Sequence, residues 1–278
     1  MSKKDSYIRN YHRKLTISFL KDIHNVNKKA SEKNIHKLRV SIKKLRALWF
    51  FIESVSNPEF KADKHRQVVK ALFKKSGVIR EAQINENIAD NIDKASLVYY
   101  KVFLKNRQRE TKQDLEKVLD RLDLNKLKRR DQKLLKSIQS LSTKKITSEV
   151  IGFVREQMEE IKAIIDQSPD DYDLHEIRKH FRNITSILAI LKSIDPKKIN
   201  PSSYKRIRRQ YEMIGEWHDQ LEFISSLAVY LSWSDQTKDY KDVKKTIKSI
   251  NELIEKKQKA IRKSMKKMLK VQKALFNV

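Results

Sequence analysis

The chain of 278 residues contains no cysteine, only 3 glycines and only 4 prolines. The lack of cysteine excludes disulfides, thiol nucleophiles and cysteine-ligated metal sites. Because glycine and proline are the residues most typical of tight turns, their scarcity predicts few such turns and favours long helices. We therefore predict an all-α fold.

Long uncharged hydrophobic runs are missing as well. No window approaches 18 uncharged apolar residues, so the sequence predicts no membrane-spanning helix. The amino-terminal segment MSKKDSYIRNYHRK is too polar to be typical of a secretory signal peptide. Together with the absence of cysteine, these features lead us to expect a cytoplasmic protein.

Acidic residues are scarce relative to basic ones. The chain has 35 Asp and Glu against 63 Lys and Arg, which gives a formal net charge of +28 at pH 7. A compact chain with this charge repels itself, and a bound polyanion relieves the repulsion. The candidate partners are nucleic acid, an anionic membrane surface and an inorganic polyanion. Solvated surface lysine accounts for much of the excess, but it does not explain ordered arginine and histidine.

Two segments, one in each half of the chain, share one pattern of basic and apolar residues. They are IHKLRVSIKKLRALWFFI at 35–52 and LHEIRKHFRNITSILAIL at 174–191. At an offset of 139 the aligned basic pairs are His36 and His175, Arg39 and Arg178, and Lys43 and Arg182. At an offset of 138 a later motif aligns Gly77 and Arg80 with Gly215 and His218. This common register predicts a tandem repeat.

Apolar periodicity and proline-containing breaks predict four helices in each half. The breaks are Asn57-Pro58, Ser168-Pro169-Asp170, Asp195-Pro196 and Asn200-Pro201. The predicted helices are 4–29, 33–55, 59–94 and 96–121 in a first half (4–121), a connector at 124–141, and 146–166, 171–193, 201–233 and 237–272 in a second half (146–272). We expect two pseudo-symmetric, antiparallel four-helix bundles.

The basic residues of the repeated segments form a stripe directly beside the apolar face. At about 100° per residue, the four residues His36, Arg39, Lys43 and Arg46 fall within an arc of roughly 80°. A solvated helix with a basic border would explain one such stripe, but two copies in register favour oxyanion binding. Guanidinium groups grip phosphate bidentately, and histidine gains charge beside phosphate. If the stripes meet between the halves, they line a basic groove that focuses positive potential.

The repeated H-x-x-R-x-x-x-[K/R] stripe, followed by GVIRE in one half and GEWHD in the other, resembles the CHAD family (conserved histidine α-helical domain) over about residues 5–272. The resemblance implies a single CHAD domain over 1–278, in which two bundles form a basic central groove or pore that binds inorganic polyphosphate. By motif position it implies the ligand-facing residues His36, Arg39, Lys43, Arg46, Arg80, His175, Arg178, Lys179, Arg182 and His218. Glu81 departs from the usual aspartate, and Thr185 stands where the first copy has Arg46.

Further cations lie on the third and fourth helices of each half. The sequence does not separate ligand contact from solvated surface for any of them. They are Lys70, Lys74, Arg206, Arg208, Arg209, Lys101, Lys105, Lys259 and Arg262.

Nucleic-acid binding is the main alternative, because any phosphate polymer is attracted to a chain of this charge. Proteins that bind unpaired bases offer exposed aromatic platforms. Aromatic residues make up only 8% of this chain, and they fall mostly in apolar runs. We therefore expect nucleic acid to be a secondary partner.

Catalysis and metal binding find little support in the sequence. It has no glycine-rich phosphate loop, nucleophile motif or acid–base carboxylate pair, and the repeated motifs are almost free of the carboxylates that hold Mg²⁺. No His or Glu stands four residues after His36 or His175. We expect a binding protein without cofactor or metal, in the cytoplasm or at its polyphosphate granules.

Membrane-surface binding is the remaining alternative. The carboxy-terminal segment KKQKAIRKSMKKMLKVQKAL is basic and amphipathic, as are helices that lie on anionic membranes. The repeat instead assigns this segment to the fourth helix of the second bundle, so we rank lipid binding below polyanion binding.

Overall fold

The computed structural model describes residues 7–55, 60–92, 97–139, 141–167, 173–233, 239–269 and 275–276. In this part of the chain no strand forms, apart from one isolated bridge between Ile199 and Phe276. The helices are α1 (Tyr7–Lys28), α2 (Glu32–Val55), α3 (Ala62–Ile92), α4 (Val98–Asp120), α5 (Leu124–Gln139), α6 (Thr143–Gln167), α7 (Leu174–Ile194), α8 (Pro201–Ser232) and α9 (Tyr240–Leu269), with a 3₁₀ helix at Pro196–Lys198. The all-α prediction is confirmed.

Each predicted helix corresponds to an observed one. The largest difference at a described end is at α6, which begins at Thr143 rather than at 146. The short 3₁₀ helix before α8 was not predicted. The predicted ends at 4, 59, 94, 96, 171, 237 and 272, and the breaks at Asn57-Pro58 and Ser168-Pro169-Asp170, lie outside the described residues.

Side-chain caps fix the start of the two helices that follow the predicted second-half breaks. Asp173 caps α7, and its carboxylate accepts hydrogen bonds from the backbone N–H groups of His175 and Glu176 at 2.7 and 3.3 Å. Asn200 caps α8 in the same way, and Pro201 occupies the first helical position. The cap sets where α7 begins, and the helical spacing of its apolar residues sets which of them face the core.

The apolar faces of the two repeated segments are fully buried. Leu38 and Ile42 on α2, and Ile177 and Phe181 on α7, are each 0% exposed. Burying one such side chain stabilises a fold by about 1.5–3 kcal/mol. Since the basic stripe of each helix borders this face, the core packing holds the stripes in place.

Helices that follow one another in the chain pack together within each half, and α2 and α3 pack against α7 and α8 between the halves. The connector α5 packs on α1, α2 and α3. These contacts bring the helices that carry the repeated motifs to one place. The division into two pseudo-symmetric four-helix bundles stays a prediction.

A buried carboxylate joins α4 to α8 and α9. Leu97, the N-cap of α4, offers no side-chain acceptor, and Asp239 supplies one by accepting from Tyr100 N at 3.1 Å. The same carboxylate accepts from the Tyr230 hydroxyl at 2.8 Å. Tyr100 in turn donates its hydroxyl to Ser226 Oγ at 2.9 Å, and burial raises the pKa of Tyr100, which keeps it a donor.

We predict that Asp239→Ala lowers the free energy of unfolding by about 2–3 kcal/mol, because it removes the acceptor for two buried donors. Asp239→Asn keeps an acceptor oxygen and should lose less than half as much. Urea denaturation of both variants and the wild type measures the difference. Equal losses for Ala and Asn would show that the carboxylate oxygens are not what joins these helices.

Candidate functional site

Packing of α2 against α7 brings the two predicted stripes together. The charges of Arg178 and Arg182 on α7 contribute to lowering the pKa of Lys43, and Arg182 also contributes to lowering the pKa of Arg46. These effects require the side chains of both halves to be close. We name as the basic cluster the residues His36, Arg39, Lys43, Arg46, Arg80, His175, Arg178, Arg182 and His218.

Phe73 on α3 orients two guanidinium groups of the cluster. Arg39 Nη1 donates to the Phe73 carbonyl oxygen at 2.8 Å, and Arg39 Cζ lies 4.5 Å from the centre of the Phe73 ring. Arg46 Cζ lies 4.7 Å from the same centre. Both arrangements are cation–π contacts, which favour fixed positions for the two cations.

Gly77, one turn beyond Phe73, provides the space for Arg39. A Cβ atom at position 77 would lie 2.8 Å from Arg39 Nη1. Its counterpart in the repeat, Gly215, has no such neighbour, since a Cβ atom there would meet nothing within 4 Å among the residues that the structure describes. The repeated glycine therefore has a packing role in the first half that it lacks in the second.

Lys43 lies at the centre of the like charges. Its side chain is exposed to solvent although protein surrounds it on several sides, as expected for a residue that lines a concave surface. Desolvation by the surrounding protein lowers the pKa of Lys43 to about 8, and the charges of Arg39, Arg178 and Arg182 lower it further. Burial and the charge of Arg80 similarly lower the pKa of Arg39 to about 10. The charged forms of these residues are thus disfavoured in the ligand-free protein.

The second half contributes a pair of histidines whose rings meet edge to face. The His175 ring lies 4.9 Å from the Trp217 ring and 5.3 Å from the His218 ring. Partial burial, followed by the charge of Arg178, lowers the pKa of His218 despite a contact with Glu222 at 3.8 Å. Within the described residues, the buried atoms Arg178 Nε and His218 Nδ1 have no hydrogen-bond partner. Both atoms therefore offer hydrogen-bonding capacity to a ligand.

Carboxylates lie at the cluster, contrary to the expectation that it would be almost free of them, and Glu32 and Asp219 are two of them. Glu32 accepts from Arg80 Nη1 at 2.6 Å, which lowers the pKa of Glu32. Burial raises the pKa of Asp219, although Arg178 and three other cations of the cluster oppose this rise. The carboxylates compensate part of the positive charge.

Sequence analysis also missed two arginines beside the cluster. Arg66 on α3 contributes to lowering the pKa of Arg46. Arg107 on α4 lies 3.5 Å from Glu81, and Glu81 in turn faces Arg39. A signal for Arg66 exists in the sequence, because 66, 73, 77 and 80 recur at helical spacing on one face of α3. Arg107 has no such signal, since only the packing of α4 on α3 brings it near.

Not every predicted site residue joins the cluster. Lys179 is exposed and pairs with Glu176 on the same helix, Lys101 pairs with Asp90, Lys105 with Glu86, and Arg208 with Glu212. Arg262 is partly buried on α9. The remaining cations are exposed, and no contact recorded for the described residues links them to the cluster: Lys70, Lys74, Arg206, Arg209 and Lys259. As ligand-binding residues, all of these stay predictions.

We predict that Lys43→Met raises the stability of the ligand-free protein at pH 7 by at most about 1 kcal/mol, since Lys43 is exposed to solvent. Its pKa in the folded protein, about 8, lies below that of an unfolded lysine. The charged form therefore opposes folding below about pH 8, and this opposition fades as the pH rises towards 10.

Urea denaturation between pH 7 and 10 should show the advantage of Lys43→Met shrinking with pH. Lys44→Met, at the neighbouring exposed position, should show no such trend and serves as the control. A difference from wild type that stays constant over this range would contradict the crowding of Lys43.

A metal site and a membrane span would each place requirements on the part of the chain that the structure describes. Among the described residues, no group of three or more His, Asp or Glu side chains is placed to hold a metal ion. The same residues include no helix that is both long and apolar enough to cross a membrane.

Comparison with known proteins gives one consistent result. No curated protein matches the chain. The crystal structure of the CHAD domain from the plant Ricinus communis superposes with a TM-score of 0.67 at 13% sequence identity, covering 94% of this chain and 90% of that one. The family model of the CHAD domain matches residues 20–221. The chain therefore belongs to the CHAD domain family.

Proposed function

We propose that this protein binds inorganic polyphosphate along the basic cluster and does not hydrolyse it. The observation that carries this proposal is the convergence of Lys43 and Arg46 on α2 with Arg178 and Arg182 on α7. Like charges held together in this way are relieved by a ligand that carries many negative charges of its own. Membership of the CHAD family supports the same conclusion.

The aromatic side chains of the cluster favour a ligand without bases. Phe73 is covered by two guanidinium groups, and Trp217 is only 5% exposed and packs on His175. Neither ring is free to stack on a nucleobase. Nucleic acid shares the phosphate chemistry but needs additional space and stacking partners, so we rank it second.

Protonation should accompany binding. Partial burial and neighbouring cations lower the pKa of His36, His218 and Lys43 in the ligand-free protein. A bound polyanion favours the charged forms and raises each pKa again. Binding therefore takes up protons and weakens as the pH rises, while the arginines keep their charge.

The carboxylates at the cluster support binding without catalysis. Glu32 is held by Arg80, and Asp219 faces Arg178, so each is placed to compensate a cation. A polyphosphatase would need carboxylates free to hold Mg²⁺. We further propose one CHAD domain over 1–278, with halves 4–121 and 146–272 joined by 124–141, that meets its ligand in the cytoplasm or at polyphosphate granules.

We predict that replacing Arg39, Arg46, Arg178 and Arg182 by Gln abolishes most binding of long-chain polyphosphate, since each guanidinium group contributes a charge-assisted hydrogen bond. The ligand-free variant should retain its helical content and melt at the same or a higher temperature, because like charges have been removed from a crowded site. Circular dichroism melts and polyphosphate titrations on the same samples measure both effects.

The matched control replaces four exposed cations on α4 and α6 by Gln, namely Arg109, Lys145, Arg155 and Lys162. This control loses the same charge and should keep most of its affinity. Polyphosphate binding that survives in the cluster variant, or that falls equally in the control, would contradict the proposal. A lower melting temperature in the cluster variant alone would assign the arginines a structural role instead.

We also predict that Gly77→Ala weakens polyphosphate binding by about fivefold without unfolding the protein. The new methyl group displaces Arg39 from Phe73, which costs about one hydrogen bond, while alanine raises helix propensity by about 1 kcal/mol. Stability should therefore stay within about 1 kcal/mol of wild type.

Gly152→Ala is the control for this substitution, because a Cβ atom there meets nothing within 4 Å among the described residues. It should stabilise α6 by up to about 1 kcal/mol and leave the affinity unchanged. Equal affinities for the two alanine variants would show that the fixed position of Arg39 does not matter for binding.

A further inference from the structure

A second basic concavity lies between α1 and α5, outside the basic cluster. It is a cavity of about 860 Å³. Four cations line it, Arg9 and Arg13 from α1 and Lys128 and Arg129 from α5. This volume falls in the range of cavities that hold small organic ligands. Its location on α1 and the connector separates it from the helices α2, α3, α7 and α8 that carry the basic cluster.

The cations of this cavity are poorly compensated. Arg9 and Arg13 are exposed and stand one helical turn apart, where like charges repel. Arg129 has a partner in Asp123 at 3.7 Å, but both side chains are mostly exposed, so this pair neutralises little. The cavity therefore attracts an anionic group.

A partly exposed carboxylate, that of Asp131, forms the polar floor of the cavity. Asp131 Oδ1 lies 3.5 Å from His12 Nε2 and 3.6 Å from His65 Nε2, and both histidines are at most 5% exposed. Burial alone would raise the pKa of Asp131, but the two histidines together lower it. Oδ1 is thus turned towards the histidines, and the rest of a carboxylate that is 14% exposed lies at the bottom of a basic entrance.

Apolar side chains complete the walls. Ile17 from α1 lines the cavity and is 59% exposed, and Leu135 from α5 lies opposite on the connector. A large exposed aliphatic side chain beside four cations offers contact area to a flat or apolar group. A ligand that matches the four cations, the apolar walls and the carboxylate carries phosphates, an apolar face and a hydrogen-bond donor.

We propose that this cavity binds a nucleotide. Its phosphates contact Arg9, Arg13, Lys128 and Arg129, its base lies against Ile17 and Leu135, and an amino or hydroxyl group donates to Asp131. An inorganic polyphosphate fits less well, because it has no donor for Asp131 and no surface for the aliphatic walls. This inference does not rest on polyphosphate binding at the basic cluster.

Isothermal titration of the full chain with ATP, adenosine and tripolyphosphate tests the proposal. The double variant Arg9→Gln/Arg13→Gln should bind ATP at least about tenfold more weakly than wild type, because it loses two charge-assisted phosphate contacts. Ile17→Ser, at an exposed position that does not threaten folding, should weaken ATP but not tripolyphosphate. Adenosine should bind more weakly than ATP to every variant.

Two controls separate this site from the basic cluster. Lys14→Gln/Lys21→Gln removes two exposed charges from the same helix, and Arg178→Gln/Arg182→Gln removes two from the cluster. Both should keep the ATP affinity of wild type, whereas the second should lose polyphosphate. A failure of polyphosphate binding with ATP binding intact would leave this inference standing and overturn only the function proposed above.

Three outcomes would overturn the nucleotide assignment. The first is no ATP binding to wild type at all. The second is ATP binding that is lost in Arg178→Gln/Arg182→Gln and kept in Arg9→Gln/Arg13→Gln, which would place the nucleotide at the basic cluster. The third is tripolyphosphate binding at the α1–α5 cavity as tightly as ATP with no effect of Ile17→Ser, which would make the cavity a second polyphosphate site.

Discussion

The packing of α2 against α7 is the constraint on which the charge distribution of this protein depends. The apolar faces of both helices are fully buried, at Leu38 and Ile42 on one and Ile177 and Phe181 on the other. Each stripe of cations borders its apolar face, so burying the faces carries the stripes to the same place. Hydrophobic burial is large enough to tolerate the cost of desolvating and crowding these cations, and both effects lower the pKa values of Lys43 and Arg39.

The two halves hold their arginines differently. In the first half, Arg39 is fixed by the Phe73 carbonyl, by the Phe73 ring and by the space over Gly77. In the second half, Arg178 Nε has no partner among the described residues, and none of their atoms packs within 4 Å of where a Cβ of Gly215 would lie. Two segments with similar sequence patterns therefore contain one pre-organised guanidinium group and one that still has hydrogen-bonding capacity to offer. Fixed groups lower the entropic cost of binding, and unsatisfied groups add interaction energy.

The periodicity of apolar and basic residues predicted the features that depend on one helix alone. It failed to predict the features that depend on how two helices pack together. The helices, the buried faces of α2 and α7 and the register of the stripes follow from spacing along the chain. The place of Asp219 beside Arg80 and Lys43 depends on how α8 packs across α2 and α3, which no local pattern contains. Lys179 is different, because its partner Glu176 stands three residues earlier, where helical neighbours form ion pairs. That exposed pair could have been predicted from the sequence.

The connector α5 adds contacts to the first three helices of the chain. It packs on α1, α2 and α3, and it inserts Asp131 between His12 and His65. A net charge of +28 draws every polyanion towards the protein, so charge alone gives attraction without selection. Selectivity for one polyanion over another also requires a complementary shape and uncharged contacts. An open concave cluster of cations suits a long and uniform polymer, whereas a cavity with a carboxylate floor and aliphatic walls discriminates against one. The same excess of positive charge can therefore serve two ligands, provided that each site differs in what surrounds its cations.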